Sequence, residues 1–342
     1  MIQVVRIEDA IGYPLAHDVT EIRPGEYKGP AFHRGHILSC RDLDHLRRLG
    51  KEHLYILKPE SDEVHEDEAA KAIAGALCGE GVGWHGVPRE GKLLLRATRE
   101  GMLKVDVTVL TRFNTIGEVM CATRHTHTLV KRGEEVAATR AIPLLISRKT
   151  VDAAVSEARS AEAGVLQVLP LRRAEVGVMI TGSEVFYGRI EDKFQPIIRK
   201  KVTDLGGHVI DVVFLPDDDG LIAEAALKFL ERGADIIITT GGMSVDPDDR
   251  TRFAFAQAGA VDMVYGSTVL PGAMFMITYL RGVPVLGIPA CGIFATTTVF
   301  DLIYPRVLTG EKITRREIAA LGHGGLCLNC RKCVYPMCPF GK

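Results

Sequence analysis

The stretch DIIITTGGMS, Asp235 to Ser244, is a short β-branched run that ends in a turn of hydroxylated and small residues. Runs of this kind read as strands buried on both faces, as a parallel sheet requires. Two other stretches share the pattern. Val176 to Ile180 runs into Thr181-Gly182-Ser183-Glu184, and Val283 to Gly287 runs into Pro289-Ala290-Cys291-Gly292. Helical patterns at Ile190–Leu205, Leu221–Arg232, Asp248–Gln257 and Ile293–Leu308 alternate with these runs and with a strand at Val209–Leu215. That alternation predicts a doubly wound, mostly parallel α/β domain over residues 174–310. Turns at the carboxyl ends of such strands converge on one crevice. Their backbone N–H groups, with a helix N-terminus behind them, suit an anion, so the expected ligand is a phosphorylated small molecule.

Upstream of this region the pattern changes. Residues 1–80 read as a mixed α+β region with helices at Arg41–Gly50 and Glu66–Cys78, the second carrying acidic residues in its first turn. The glycine-rich segment Gly79–Pro88 marks a boundary or a long loop. Residues 88–150 read as a small β-rich module, with strands at Leu93–Leu95, Leu103–Leu110, Val119–Thr123, Thr126–Val130 and Glu135–Leu145. An alanine-rich helix at Thr150–Ala163 links this module to the α/β domain. A cysteine-bearing tail occupies residues 322–342.

At 342 residues the chain is long enough for two or three domains, and 25% charged with 46% apolar residues is ordinary for a globular protein. A formal net charge of −1 gives no reason to expect nucleic acid or a membrane surface as partner. No apolar run approaches the roughly 20 residues of a membrane span, and MIQVVRIEDA lacks the pattern of an export signal. The clustered thiols point to metal rather than disulfides, and to the cytoplasm.

The turn after Asp235 is followed by Asp246-Pro247-Asp248-Asp249, and Asp217-Asp218-Asp219 follows the strand at Val209–Leu215. Donors hold phosphate, while carboxylates such as Asp218 and Asp249 can hold Mg²⁺ against it. For Asp217–Asp219 the plain alternative is a helix N-cap. For Thr181–Glu184 it is a tight turn.

The runs TGSEVFYGRIEDKF, TTGGMSVDPDDRT and PVLGIPACGIFATTTVF resemble the three signature segments of the molybdenum-cofactor-biosynthesis domain. That domain is shared by molybdopterin adenylyltransferases and by molybdenum insertases of the MoeA/gephyrin type. The segment GYPLAHDVTEIRPGEYKGPAFHRGHIL is similar, more weakly, to the opening of insertase chains. The resemblance implies that Thr181, Gly182, Ser183, Glu184, Thr240, Gly241, Gly242 and Ser244 bind molybdopterin, with Pro289 and Gly292 in the third turn. It implies Asp249 as the active-site aspartate near metal and nucleotide phosphate. The expected function is binding of molybdopterin or adenylyl-molybdopterin in molybdenum cofactor biosynthesis, either as a molybdotransferase-like insertase, as an adenylyltransferase, or as a non-enzymatic carrier for a client molybdoenzyme. A homodimer is also implied. Two departures stand out. Pro289-Ala290-Cys291-Gly292 replaces the family's P-G-N-P, and Leu270-Pro271-Gly272-Ala273-Met274 lacks the lysine of its P-G-K-P.

In the tail, Cys327, Cys330, Cys333 and Cys338 are spaced C-x2-C-x2-C-x4-C, with Pro339 after the last. The bacterial ferredoxin run differs by one residue before its final cysteine. The spacing fits a [4Fe–4S] cluster, with Zn²⁺ as the alternative. His125 and His127, read on one face of a strand, lack a third ligand nearby in sequence.

Overall fold

The computed structural model describes residues 2–57, 62–243 and 249–342. They divide into two compact units, residues 1–124 with 130–168, and residues 125–129 with 169–342.

The second unit is built on a six-stranded sheet. Its spatial order is His208–Leu215, Glu175–Thr181, Ile236–Thr240, Val283–Ile288, Met276–Leu280, Val261–Tyr265. The first four strands run parallel, and the last two are antiparallel additions at one edge. Side chains alternate between two cores, as strands covered on both faces require. Val176, Val178, Ile180, Ile236 and Ile238 point to one face and pack with Ile198, Val202, Phe300 and Ile303. Met179, Ile237 and Val285 point to the other and pack with Ile222, Phe229 and Phe255. Helices Phe194–Asp204 and Val299–Leu308 therefore cover one face, and Asp219–Glu231 and Thr251–Gln257 the other. The doubly wound, mostly parallel α/β fold read from the sequence is the fold observed.

Three local readings differ. The strands Val261–Tyr265 and Met276–Leu280 were not expected. The final helix starts at Val299 rather than at Ile293, because the Thr298 hydroxyl accepts from Phe300 N–H at 3.2 Å and Asp301 returns to accept from Thr298 N–H at 2.8 Å. Residues 290–293 form a separate 3₁₀ turn. The tail packs on the α/β core, with Phe340 only 4% exposed among the residues around Val299–Leu308.

In the first unit, helix Glu66–Leu77 shares one apolar core with strands Lys92–Ala97, Val119–Thr123 and Glu135–Ala141 and with helix Arg148–Arg159. The stretch 79–88 thus lies within this core's surroundings: a Cβ on Gly79 would fall 2.2 Å from Ala163 O. The expected strand at Leu103–Leu110 ends at Val105, and a helix runs Val107–Thr115 instead. Its cause is Asp106, whose carboxylate accepts from Val109 N–H at 2.9 Å. His125 and His127 lie in a turn, His127 with φ +64°, rather than on a strand. A smaller core gathers Ile7, Leu15, Leu38, Leu46 and Leu54.

A polar cluster opens helix Glu66–Leu77. His65 Nδ1 accepts from Asp67 N–H at 3.1 Å, so the ring is neutral with its proton on Nε2. Burial, then the charge of Arg34, depresses its pKa in keeping with that form. Glu66 is 6% exposed. Burial, reinforced by the charge of Asp67, pushes its carboxyl up to about 7, while Arg140 pulls the other way.

Candidate functional site

Strand pairing brings the three turns together. Ile180 is in register with Thr240, and Thr240 with Ile288, so the three strands end side by side at one edge of the sheet. Beyond that edge lies a crevice of about 510 Å³. Glu184 comes from the first turn, Gly241, Gly242 and Met243 from the second, and Pro289, Ala290 and Cys291 from the third. Asp249 closes one side, and the stretch Leu270–Met274 supplies the remaining wall. Burial pushes the Cys291 thiol up, which keeps it uncharged near neutrality.

The second turn is shaped by close packing. Gly241 has φ +83°, and a Cβ there would lie 2.0 Å from Thr181 O. Gly242 has φ +58°, and its Cβ would lie 2.3 Å from Thr251 Oγ1. Both demands exclude every other residue. Tyr265 OH donates to Met243 O at 2.6 Å, which anchors the turn from an edge strand. Arg250 clasps the carboxylate of Asp219 through Nε at 2.9 Å and Nη2 at 2.5 Å.

The candidate residues fall into distinct groups. Glu184, Gly241, Gly242, Pro289 and Asp249 line the crevice. Thr181 does not: its hydroxyl donates to Thr240 O at 2.9 Å and lies 3.0 Å from Thr251 Oγ1. Gly182 lies beneath the Glu184 carboxylate, which a Cβ would approach to 3.0 Å. Ser183 is paired reciprocally with Asp217, its N–H donating to Oδ2 at 2.8 Å and its Oγ accepting from Asp217 N–H at 3.3 Å. The Thr240 hydroxyl is buried without a hydrogen-bond partner among the described residues. Gly292 is buried against Ile288. Asp218 caps helix Asp219–Glu231 by accepting from Leu221 N–H at 2.9 Å, which is the plain alternative and not a metal-directed pose. Ser244, Asp246 and Asp248 lie outside the described residues.

Asp249 differs from all of these. Its Oδ2 is buried and has no hydrogen-bond partner among the described residues. Leaving a carboxylate oxygen in that state costs several kcal/mol unless something charged or donating meets it. Glu184 is the other carboxylate in the wall, and among the described lining residues there is no lysine or arginine. Ala273 stands in that wall where the resembling family carries its lysine. Thr181, Ser183 and Asp218 are engaged within the turns, while Glu184, Gly241, Gly242, Pro289 and Asp249 line the crevice. The wall from Leu270 to Met274, noted in sequence only as a departure, faces the crevice.

Residues 177–309 match the family described as a probable molybdopterin binding domain. The α/β unit contains a molybdopterin-binding domain. Residues 4–58 match a domain of unknown function. Over 161 residues the chain is 29% identical to a molybdopterin molybdenumtransferase of Haemophilus influenzae, covering 44% of this chain and 39% of that one. A CinA-like protein of Mycobacterium tuberculosis is 38% identical over 79 residues, 23% of this chain and 18% of that one. The molybdopterin biosynthesis enzyme MoaB of Thermus thermophilus aligns over 40% of this chain and 98% of its own, with 21% identity and a TM-score of 0.36. The chain spans 39% or less of the length of these curated relatives. The molybdopterin-binding domain accounts for the sheet, its three turns and the crevice, while the tail from 322 lies outside the matched residues. Among the described residues no helix is long and apolar enough to cross a membrane. Among them, no three His, Cys, Asp or Glu side chains converge closely enough to hold one metal ion.

Proposed function

We propose that the crevice binds molybdopterin or adenylyl-molybdopterin in molybdenum cofactor biosynthesis. The observation that carries this reading is the buried Oδ2 of Asp249, unpartnered among the described residues, beside a crevice formed by three strand-end turns. A phosphorylated pterin brings anionic oxygens to a wall that already holds Asp249 and Glu184. Those charges repel one another unless a cation lies between them. Mg²⁺ fits that donor set, because it prefers oxygen ligands and keeps part of its coordination for phosphate. Asp249 and Glu184 would hold it and it would neutralise phosphate charge, while Asp218 stays with its helix cap. The backbone of Gly241–Met243 meets the phosphate end. Thr181, Gly182, Ser183, Thr240 and Gly292 fix the shape of the turns, and Asp249 is the catalytic aspartate if the crevice turns over.

Ala273 bears on which activity follows. Without a lysine beside a polyanion the site loses one charge-assisted contact, which favours holding the cofactor for a client molybdoenzyme over fast molybdenum insertion. The reading includes a homodimer and a cytoplasmic protein, where eight free cysteines suit a reducing compartment. It also gives the cysteine tail a metal, iron–sulfur or zinc. The test is to incubate the full chain with Mg²⁺ and each pterin species. AMP release from adenylyl-molybdopterin on adding molybdate identifies an insertase, and ATP-dependent adenylylation identifies the transferase. Tight binding with neither identifies a carrier. Absence of binding to every molybdopterin species refutes the proposal.

A further inference from the structure

All four tail cysteines, Cys327, Cys330, Cys333 and Cys338, line a single cavity of about 210 Å³. Its other walls are mostly apolar or aromatic and include Pro271, Phe294, Tyr335 and Phe340. The segment that carries the thiols is tied down at both ends. Leu270 N–H donates to Gly325 O at 2.8 Å, and Cys327 N–H donates to Leu270 O at 2.8 Å, so Leu326 pairs with Leu270 as a short parallel bridge. At the other end Gly341 N–H donates to Gly324 O at 3.0 Å, and Phe340 is buried in the α/β core. Lys342 Nζ reaches Pro336 O at 2.7 Å inside the loop. Four thiols therefore surround a preformed space on a docked segment.

The size of that space favours the larger occupant. A zinc ion draws four sulfurs to about 2.3 Å from one point, a smaller space than the one these thiols line. Four cysteines lining one cavity of about 210 Å³ suit a polynuclear centre that brings its own sulfide to fill the middle. The C-x2-C-x2-C-x4-C-P spacing is one residue away from the ferredoxin run. Arg331 and Lys332, between two of the ligands in sequence, offset part of the thiolate charge.

We propose that Cys327, Cys330, Cys333 and Cys338 hold a [4Fe–4S] cluster in this cavity, directly behind the wall of the molybdopterin crevice. Pro271 lines both spaces, and the Leu270–Leu326 bridge fastens the tail to that wall. Ligation replaces four S–H bonds by four Fe–S bonds and releases four protons, with two ferrous ions, two ferric ions and four sulfides as the source of the core, so that no electron is gained or lost in assembly. The cluster rests on the tail's geometry alone. Only its adjacency to a pterin rests on the proposed function.

The experiment is anaerobic reconstitution of the full chain with equal amounts of ferrous and ferric iron and with sulfide, in the absence of any pterin. The expected product is brown, binds iron and sulfide in equal amounts, and gives an electron paramagnetic resonance signal on reduction by dithionite. The double variant Cys330→Ser, Cys333→Ser should lose colour and signal, while Cys40→Ser, an exposed thiol elsewhere, should keep both. Colourless protein retaining one zinc per chain overturns the proposal. So does wild-type protein that stays metal-free, whatever the variants do, or colour retained in the double variant. Cluster formation without molybdopterin binding would leave this site standing and refute the crevice reading, and the reverse result would do the opposite.

Discussion

Replacing Glu66 by glutamine should stabilise the first unit at pH 8 and leave it unchanged near pH 4.5. Glu66 is 6% exposed and its carboxyl is pushed from 4.5 up to about 7 by burial and by Asp67. Between those two values the folded chain holds a proton that the unfolded chain has lost, so stability falls as pH rises through the interval. Moving a carboxyl from 4.5 to about 7 corresponds, at about 1.4 kcal/mol per pH unit, to on the order of 3 kcal/mol. Glutamine keeps the shape and carries no charge, so it should recover that energy above pH 7 and nothing at pH 4.5. For a unit of this size the gain is about 6–12 °C in melting temperature. His17 and His65, both depressed first by burial, act with the opposite sign, since stability falls as pH drops below their unfolded value. They are present in both proteins, so comparing the two pH profiles cancels them. The assay is thermal unfolding of the full chain from pH 4.5 to 8, following the transition that contains helix Glu66–Leu77. A variant that melts at or below the wild type at pH 8 would refute the reasoning.

Gly241→Ala should destabilise the α/β unit by about 3 kcal/mol or more, because a left-handed φ costs about 1–2 kcal/mol and the new Cβ would meet Thr181 O at 2.0 Å; denaturant titration measures it, and a loss below 1 kcal/mol would contradict the packing described. Asp249→Asn should melt no lower than the wild type and should lose the Mg²⁺-dependent part of ligand affinity, read by titration with and without the metal. An unchanged Mg²⁺ response would remove Asp249 from that role. Ala273→Lys should bind pyrophosphate roughly tenfold more tightly, the scale of one charge-assisted hydrogen bond, with the gain shrinking as salt rises. Equal affinity at low salt would mean that position 273 does not face the anion.

The central strands were legible because burial on both faces leaves uninterrupted apolar runs such as Ile236–Ile238, and the turns announce themselves by composition. Helix Val107–Thr115 was not, because Val107, Thr108 and Val109 are β-branched and favour a strand. One carboxylate at Asp106 outweighs that preference. Glu184, Gly241, Gly242 and Asp249, all singled out in the sequence, line the crevice. For Thr181, Ser183 and Asp218 the sequence offered both a ligand and a turn or cap role and could not show their partners, because Thr251 Oγ1, Asp217 and Leu221 N–H meet them through tertiary folding or local capping geometry. The strands Val261–Tyr265 and Met276–Leu280 alternate too weakly to be read ahead of the structure. The shared wall at Pro271 depends on a segment brought from the far end of the chain.

That shared wall has an evolutionary consequence. Pro271 borders the crevice on one side and the cysteine cavity on the other, so any replacement there is selected against two requirements at once. A lineage that lost the cysteines would be released from one of them. Position 271 and its neighbour Leu270 should then drift in step with the tail, while the three strand-end turns drift independently of it.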